Sequence, residues 1–346
     1  MIYIFDIAKL IMSFFVAAIH IKPFSSISTI VNFYIVECIG RMAVPIFFSI
    51  AGFFLYKKIF NNQSNYYEIV KKYVLRIFSI YLIWSILYYI PYSDGKISFL
   101  LIKSFIIKFL LKGIFSQLWY MQSLIVGVIL STFCSKKIGI KNTLILSFVF
   151  FIIGLLIVPY YPYICRTISI PYKIKRLIDS MGYKTGRNGL FFGMFFITMG
   201  GYISKYQDLL LKKNVQKYVL MFILSVILLV IESNIIKNLN GQYYGLQLSL
   251  VPCSFSAMLL MLIYNAKFNR NINTSNIRSL SFLIYLIHEW ISYLYKHTIQ
   301  KVIIINGVFQ NSLIKYIIIM IITIVISELI IYLSKTNKFK MLKKLY

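Results

Sequence analysis

Residues 314–333 read IKYIIIMIITIVISELIIYL, an apolar run broken only by Lys315, Glu328 and a few small polar side chains. Twenty residues of α-helix rise about 30 Å, the thickness of the hydrocarbon layer of a bilayer. A helix on the surface of a soluble domain would carry a polar stripe along one side, and this stretch has none. Similar runs lie near residues 3–21, 37–56, 75–92, 118–134, 143–161, 188–204, 217–235, 246–265 and 280–297. The sequence therefore predicts an all-α, polytopic transmembrane helix bundle of about ten spans.

Composition points the same way. Of 346 residues, 60% are hydrophobic and only 13% charged, and the mean hydropathy is +0.79. Soluble domains are about 45–50% apolar and about 25% charged. No hydrophilic stretch is long enough to fold separately and no internal repeat is visible, so residues 1–346 read as a single integral membrane domain. At the amino terminus, Asp6 and Lys9 precede the run Leu10–Ile19, which fits an uncleaved first span better than a signal peptide.

The chain carries 37 Lys+Arg against 9 Asp+Glu, a net charge of +28. In a soluble protein that balance would suggest nucleic acid. Here the basic residues cluster at the ends of apolar runs, where they meet lipid head groups, and no nucleic-acid partner is expected. With both termini cytoplasmic, 20 basic residues fall in inner loops and 15 in outer ones, and ten of the latter lie in residues 93–117 and 162–187. Residues 97–115 carry Lys103, Lys108 and Lys112 around the helical wheel, which suits a helix at the outer membrane surface with snorkelling lysines. A spanning helix there would reverse the side of every later loop. Residues 162–187, basic and containing two prolines, read as an outer loop. Cys38, Cys134, Cys165 and Cys253 are scattered and give neither a disulfide framework nor a metal site, and no metal is expected.

An ionisable group inside a span costs a few kcal/mol and so raises a functional hypothesis. Lys9 and His20 are eleven residues apart on the first run, close to three helical turns, so they share a face about 16 Å apart along the axis. Lys9 also reads as an interfacial snorkelling lysine, and His20, followed by Lys22 and Pro23, as the cap of its span. Arg41 opens the second run four residues after Glu37, with which it can pair. Pro45 and Gly52 follow, the first weakening the helix and the second allowing close packing. Arg187 introduces the sixth run, whose Gly189, Gly193, Gly200 and Gly201 predict tight helix contacts; it also fits as an ordinary interfacial arginine. His288 and Glu289 lie mid-span and are hardest to reconcile with a lipid-facing position. Trp119 and Tyr120 read as interfacial belt aromatics.

Taken in order, the span ending in His20, RMAVPIFFSIAGFFL at 41–55, LWYMQSLIV at 118–126, GRNGLFFGMFF at 186–196 and SFLIYLIHEWI at 281–291 resemble the membrane acyltransferase type 3 family over nearly the whole chain. The resemblance implies about ten spans in a bacterial cytoplasmic membrane. It also implies acyl transfer, usually of acetyl, from cytoplasmic acetyl-CoA to a carbohydrate or glycan acceptor, with polysaccharide-synthesis proteins as partners. Two positions depart from the family pattern. Lys9 stands where an arginine is typical, which keeps the charge and loses the bidentate phosphate geometry. An R-x-x-R pair entering the third span is represented by Arg76 alone, with Tyr73 at the first position and Lys71 and Lys72 beside it. The same module resembles the amino-terminal half of the membrane-bound serine racemases of vancomycin resistance. Those carry a racemase domain after it; the sequence here stops at Tyr346, so racemisation is not expected.

These readings combine into one expected mechanism and two rivals. Lys9, Lys72 and Arg76 would hold the CoA phosphates on the cytoplasmic side. His20 would act as general base on an acceptor hydroxyl or carry the acyl group covalently. Arg41 and Arg187 would stabilise the oxyanion or orient an anionic acceptor, and His288 with Glu289 would assist or brace the core. The rivals are a carrier for a polar solute or lipid-linked sugar, whose path the intramembrane charges would line, and a receptor or structural membrane subunit.

Overall fold

A computed structural model describes residues 2–89, 109, 113, 115–167, 186–212, 214–240, 245–268, 272–297 and 311–346. Nine long helices organise them: α1 Tyr3–Ile21, α2 Ala43–Asn61, α3 Tyr66–Tyr89, α4 Trp119–Ile157, α5 Met194–Leu211, α6 Val215–Asn240, α7 Leu250–Phe268, α8 Ser275–His297 and α9 Ser312–Ser334. No strand occurs among the described residues. Gly139, at φ 78 and ψ 161, breaks α4 into two rods. The two apolar runs expected at 118–134 and 143–161 correspond to these two rods, with the break at a glycine. A left-handed backbone of this kind favours a residue without a Cβ.

This is a membrane protein. Among the described residues, six stretches are long and apolar enough to cross a bilayer: Tyr3–Ile21, Thr29–Asn61, Trp119–Ile157, Val215–Leu239, Leu250–Phe268 and Ser312–Ser334. The outward faces make the same point. On α6, Leu220, Leu224, Leu228, Ile231 and Ile235 are exposed, and on α9 Ile317, Ile321, Val325 and Leu329 are exposed. Continuous apolar stripes of this size would be an aggregation liability in water and are the natural surface towards lipid.

Inside, α2 packs against α5, α1 against α8, and α8 against α9. The α2–α5 contact is backbone on backbone. A Cβ at Gly200 would overlap the Ser49 carbonyl oxygen, and one at Gly52 the Ile197 carbonyl oxygen. Small residues bring helices together in lipid because dispersion and interhelical hydrogen bonds, rather than water, drive association. The predicted tight contacts of Gly52, Gly193, Gly200 and Gly201 are present. Beside this seam the Tyr56 hydroxyl meets Ser131 Oγ and Ser135 Oγ, both at 2.8 Å, and Ser131 Oγ meets Thr198 Oγ1 at 2.7 Å. The chain joins α2, α4 and α5 and satisfies hydroxyls that lipid could not.

The segments assigned to a surface helix (97–115) and to an outer loop (162–187) lie largely outside the described residues. Of the first, the Phe109 ring stacks on Tyr81 at 4.5 Å and the Phe115 ring on Tyr88 at 4.5 Å, so both rest on α3. Of the second, a short helix, Tyr161–Thr167, and Gly186–Arg187 are described.

Candidate functional site

Two of the candidate arginines sit where the helix is not α. Before α2 the chain forms a π-helical turn, Asn32–Cys38, and then a 3-10 turn, Ile39–Met42, which carries Arg41. Pro45 is the third residue of α2, in the first turn, where its missing N–H removes no helical bond. Before α5 a second π-helical turn, Gly189–Gly193, follows Asn188, whose Oδ1 accepts from Leu190 N at 3.0 Å and Phe191 N at 2.8 Å. That cap fixes the position of Arg187 just ahead of it. Irregular helical turns in a membrane protein are tolerated where they line a cavity, and they recur at functional sites.

Both arginines line one cavity of about 250 Å³ together with His20, Ser116, Gln117, Trp119, Tyr120 and Tyr285. His20 comes from the last turn of α1, and its Nδ1 lies 2.7 Å from Glu289 Oε1 on α8. The same oxygen accepts from Ser116 Oγ at 2.8 Å. The His20 and Glu289 side chains are 21% and 16% exposed, so the pair is shielded but opens on the cavity. His288 is fully buried behind it, its ring centroid 5.5 Å from that of His20. His288 Nδ1 lies 2.9 Å from the Ile284 carbonyl oxygen, which can only accept; the ring therefore donates from Nδ1. All five residues predicted as catalytic, His20, Arg41, Arg187, His288 and Glu289, thus converge on the cavity or on the wall directly behind it.

The structure adds residues that the sequence reading missed. Ser116 and Gln117 form the turn before α4, and the Tyr285 hydroxyl donates to the Gln117 carbonyl at 2.6 Å. Trp119 and Tyr120, read as belt aromatics, instead line the cavity, with Tyr120 buried. Gly245, at φ +66, packs so tightly on the Arg41 side chain that a Cβ there would lie 2.5 Å from Arg41 Cδ. Residues following it are held by Glu232 on α6, whose carboxylate accepts from Leu248 N at 2.8 Å, from Ser249 N at 2.9 Å, and from the Ser249 and Tyr160 hydroxyls. Replacing Glu232 by alanine removes the acceptor for two loop amides. It is expected to lower the unfolding free energy by about 1–3 kcal/mol, read as a fall in the thermal midpoint of detergent-solubilised protein.

The basic trio fares differently. Lys9 Nζ is 3.0 Å from Asp6 Oδ1, and the Asp6 carboxylate, 1% exposed, also accepts from Arg278 Nε at 3.1 Å, Arg278 Nη2 at 2.8 Å and Thr274 Oγ1 at 2.7 Å. This cluster ties the start of α1 to the start of α8, and it commits the Lys9 charge to Asp6. Lys72 lies on the exposed side of α3, 3.7 Å from Glu68. Arg76 is also exposed on α3. No hydrogen bond or ion pair among the described residues joins these three. Glu37 meets Lys22 Nζ at 3.4 Å; the expected helical spacing to Arg41 is broken by the π and 3-10 turns between them.

His20, His288 and Glu289 also form a compact group of nitrogen and oxygen donors, one atom from each lying within 4.8 Å of the others. The arrangement can hold a proton, orient a hydroxyl, or take a cation.

Comparison of the sequence with known proteins places the chain in a family. The sequence model of the acyltransferase 3 family, described as an acyltransferase domain, matches residues 2–332. An amino-acid racemase from Enterococcus faecalis is 29% identical over 335 residues, covering 95% of this chain and 46% of the relative. A second from the same organism is 30% identical over 258 residues, covering 73% and 35%. A serine/alanine racemase from Enterococcus gallinarum is 25% identical over 329 residues, covering 92% and 44%. The chain therefore spans less than half the length of the curated relatives it matches. No solved structure matches it. A profile match over almost the full length, on a bundle that gathers the family-like segments around one cavity, shows that the chain belongs to the acyltransferase 3 family.

Proposed function

We propose that the protein is a multi-pass O-acyltransferase of a bacterial cytoplasmic membrane. It would move an acyl group, acetyl in the simplest case, from cytoplasmic acyl-CoA to a hydroxyl of a cell-surface carbohydrate. The observation that carries the proposal is the His20 Nδ1–Glu289 Oε1 contact of 2.7 Å beside a cavity lined by Arg41 and Arg187. A carboxylate that accepts from Nδ1–H fixes the tautomer whose Nε2 carries the lone pair. His20 then removes the proton from the acceptor hydroxyl as its oxygen attacks the thioester carbonyl carbon. Arg41 and Arg187 supply positive charge where the carbonyl oxygen becomes anionic. When the carbon–sulfur bond breaks, His20 returns its proton to the departing thiolate, and the ester and free thiol leave a neutral histidine. Ser116, donating to Glu289, keeps the carboxylate in place.

The basic residues Lys9, Lys72 and Arg76 enter the proposal as charge facing an anionic donor from one membrane side, not as a preformed phosphate cage. Ten spans with both termini cytoplasmic remain part of the same reading.

Glu289→Gln keeps the shape and removes the charge that orients His20. Its kcat is expected to fall about 10²-fold with little change in KM for acetyl-CoA, measured as thiol release by protein in nanodiscs supplied with a polysaccharide acceptor. An unchanged kcat would sink the dyad.

A second reading has one observation in its favour. The aligned relatives are named for amino acids, and they match across 92–95% of this chain in two of the three cases. In that reading the cavity binds an amino acid for passage, its carboxylate against Arg41 and Arg187. Uptake of radiolabelled serine by proteoliposomes, lost in Arg187→Ala, would favour it.

A further inference from the structure

The wall behind the cavity carries a feature the acyl-transfer chemistry does not use. His288 is wholly buried, and its Nε2 has no hydrogen-bond partner. With Nδ1 donating to the Ile284 carbonyl, Nε2 is a bare lone pair, and an unsatisfied buried polar atom costs about 1–3 kcal/mol. One ligand atom each from His288, His20 and Glu289 lies within 4.8 Å of the other two.

We propose that these three side chains form a site for a first-row divalent metal ion, best fitted by zinc, and that the metal and the catalytic proton exclude one another. Two imidazole nitrogens and one carboxylate oxygen are a common zinc donor set when a fourth position is left to water. Ligand atoms about 2.0–2.1 Å from zinc sit a little over 3 Å apart, so a group now within 4.8 Å closes by at most about 1.5 Å, while the 2.7 Å His20–Glu289 contact opens slightly. The outer contacts are in place: the Ile284 carbonyl holds His288 by its other ring nitrogen, and Ser116 holds Glu289. Hard cations such as magnesium favour all-oxygen cages and do not suit two imidazoles. On binding, the proton of neutral His20 moves through solvent from Nδ1 to Nε2, so that Nδ1 turns its lone pair from Glu289 to the metal and Nε2 is no longer free to accept a proton. No other bond changes. While the metal is bound, His20 cannot act as a base, so zinc is an inhibitor of the proposed transfer. The metal-binding claim stands apart from that reading, because it is tested without any acyl donor or acceptor.

The experiment is calorimetric titration of zinc chloride into purified, chelator-washed protein in detergent. One zinc per chain is expected, unaffected by excess magnesium. Affinity should fall at least about tenfold in His288→Ala and in His288→Gln, and be retained in His297→Ala, since His297 is exposed at the end of α8. A wild-type measurement guards against variants that do not fold: the copper-loaded protein should show electron-spin coupling to nitrogens of two imidazoles. Absence of stoichiometric zinc binding, displacement by magnesium, wild-type affinity in folded His288 variants, or no coupling to imidazole nitrogen would each overturn the proposal.

Discussion

Replacing His20 by alanine is expected to lower acyl transfer by about 10²–10⁴-fold, the range a positioned general base contributes. The protein should still fold. His20 lies in the last turn of α1, partly open to the cavity, and the α1–α8 junction is held separately by the Asp6–Arg278–Thr274–Lys9 cluster at the opposite end of the helix. Loss of the imidazole leaves Glu289 with the Ser116 hydroxyl as a hydrogen-bond donor. The effect should appear in kcat, and rescue of the rate by added imidazole would identify the missing group as a base. A His20→Ala protein that transfers at the wild-type rate would remove His20 from the chemistry.

The largest stability effect is expected from Gly200→Val. The α2–α5 seam brings two backbones into contact, and any Cβ at position 200 would occupy the place of the Ser49 carbonyl oxygen and crowd Phe53 N. Neither atom is the movable end of a side chain, so the helices must part along the seam. Separation also stretches the Tyr56–Ser131–Thr198 hydroxyl chain beside it. Overpacking of this kind costs about 3 kcal/mol or more, enough to reduce the yield of monodisperse protein sharply on size-exclusion chromatography. A Gly200→Val protein with the wild-type thermal midpoint would contradict the seam. Gly139→Ala probes a different requirement, because nothing lies within 4 Å of a Cβ there; only its left-handed backbone resists the substitution, at about 1–2 kcal/mol.

Much of this architecture is legible in the amino-acid sequence alone. Apolar runs of about twenty residues announce themselves because the bilayer has a fixed thickness. His20, Arg41, Arg187, His288 and Glu289 stand out because charge inside a span is expensive. Ser116, Gln117 and Tyr285 carry no such signal. Small or neutral polar groups are tolerated in membrane helices, so only the fold shows that Ser116 meets Glu289 and that the Tyr285 hydroxyl fixes the turn before α4. For Lys9, Lys72 and Arg76 the sequence carries no signal for their direction around each helix. Lys9 turns to Asp6 on its own helix and to a cluster shared with α8, and Lys72 turns outward to Glu68. Trp119 and Tyr120 mislead for a related reason: aromatic residues at the end of a span suit the head-group region or a cavity mouth equally well, and here Tyr120 lies against the Phe48 ring at 4.6 Å.

The pair of arginines illustrates how irregular backbone serves the site. Each stands beside a π-helical turn, and Gly245 lies against Arg41 with a backbone conformation that suits glycine. Gly245→Ala is therefore expected to act on turnover through Arg41, lowering kcat several-fold while leaving the membrane-embedded bundle intact.

The central claim, acyl transfer through His20 held by Glu289, meets its most direct test in proteoliposomes given acetyl-CoA labelled in the acetyl group together with isolated cell-wall glycan or capsular polysaccharide. Wild-type protein should place label on the carbohydrate as a base-labile ester with equal release of thiol, and Glu289→Gln should do so about 10²-fold more slowly. No labelled ester and no thiol release from wild-type protein, alongside saturable uptake of serine by the same vesicles, would contradict the account.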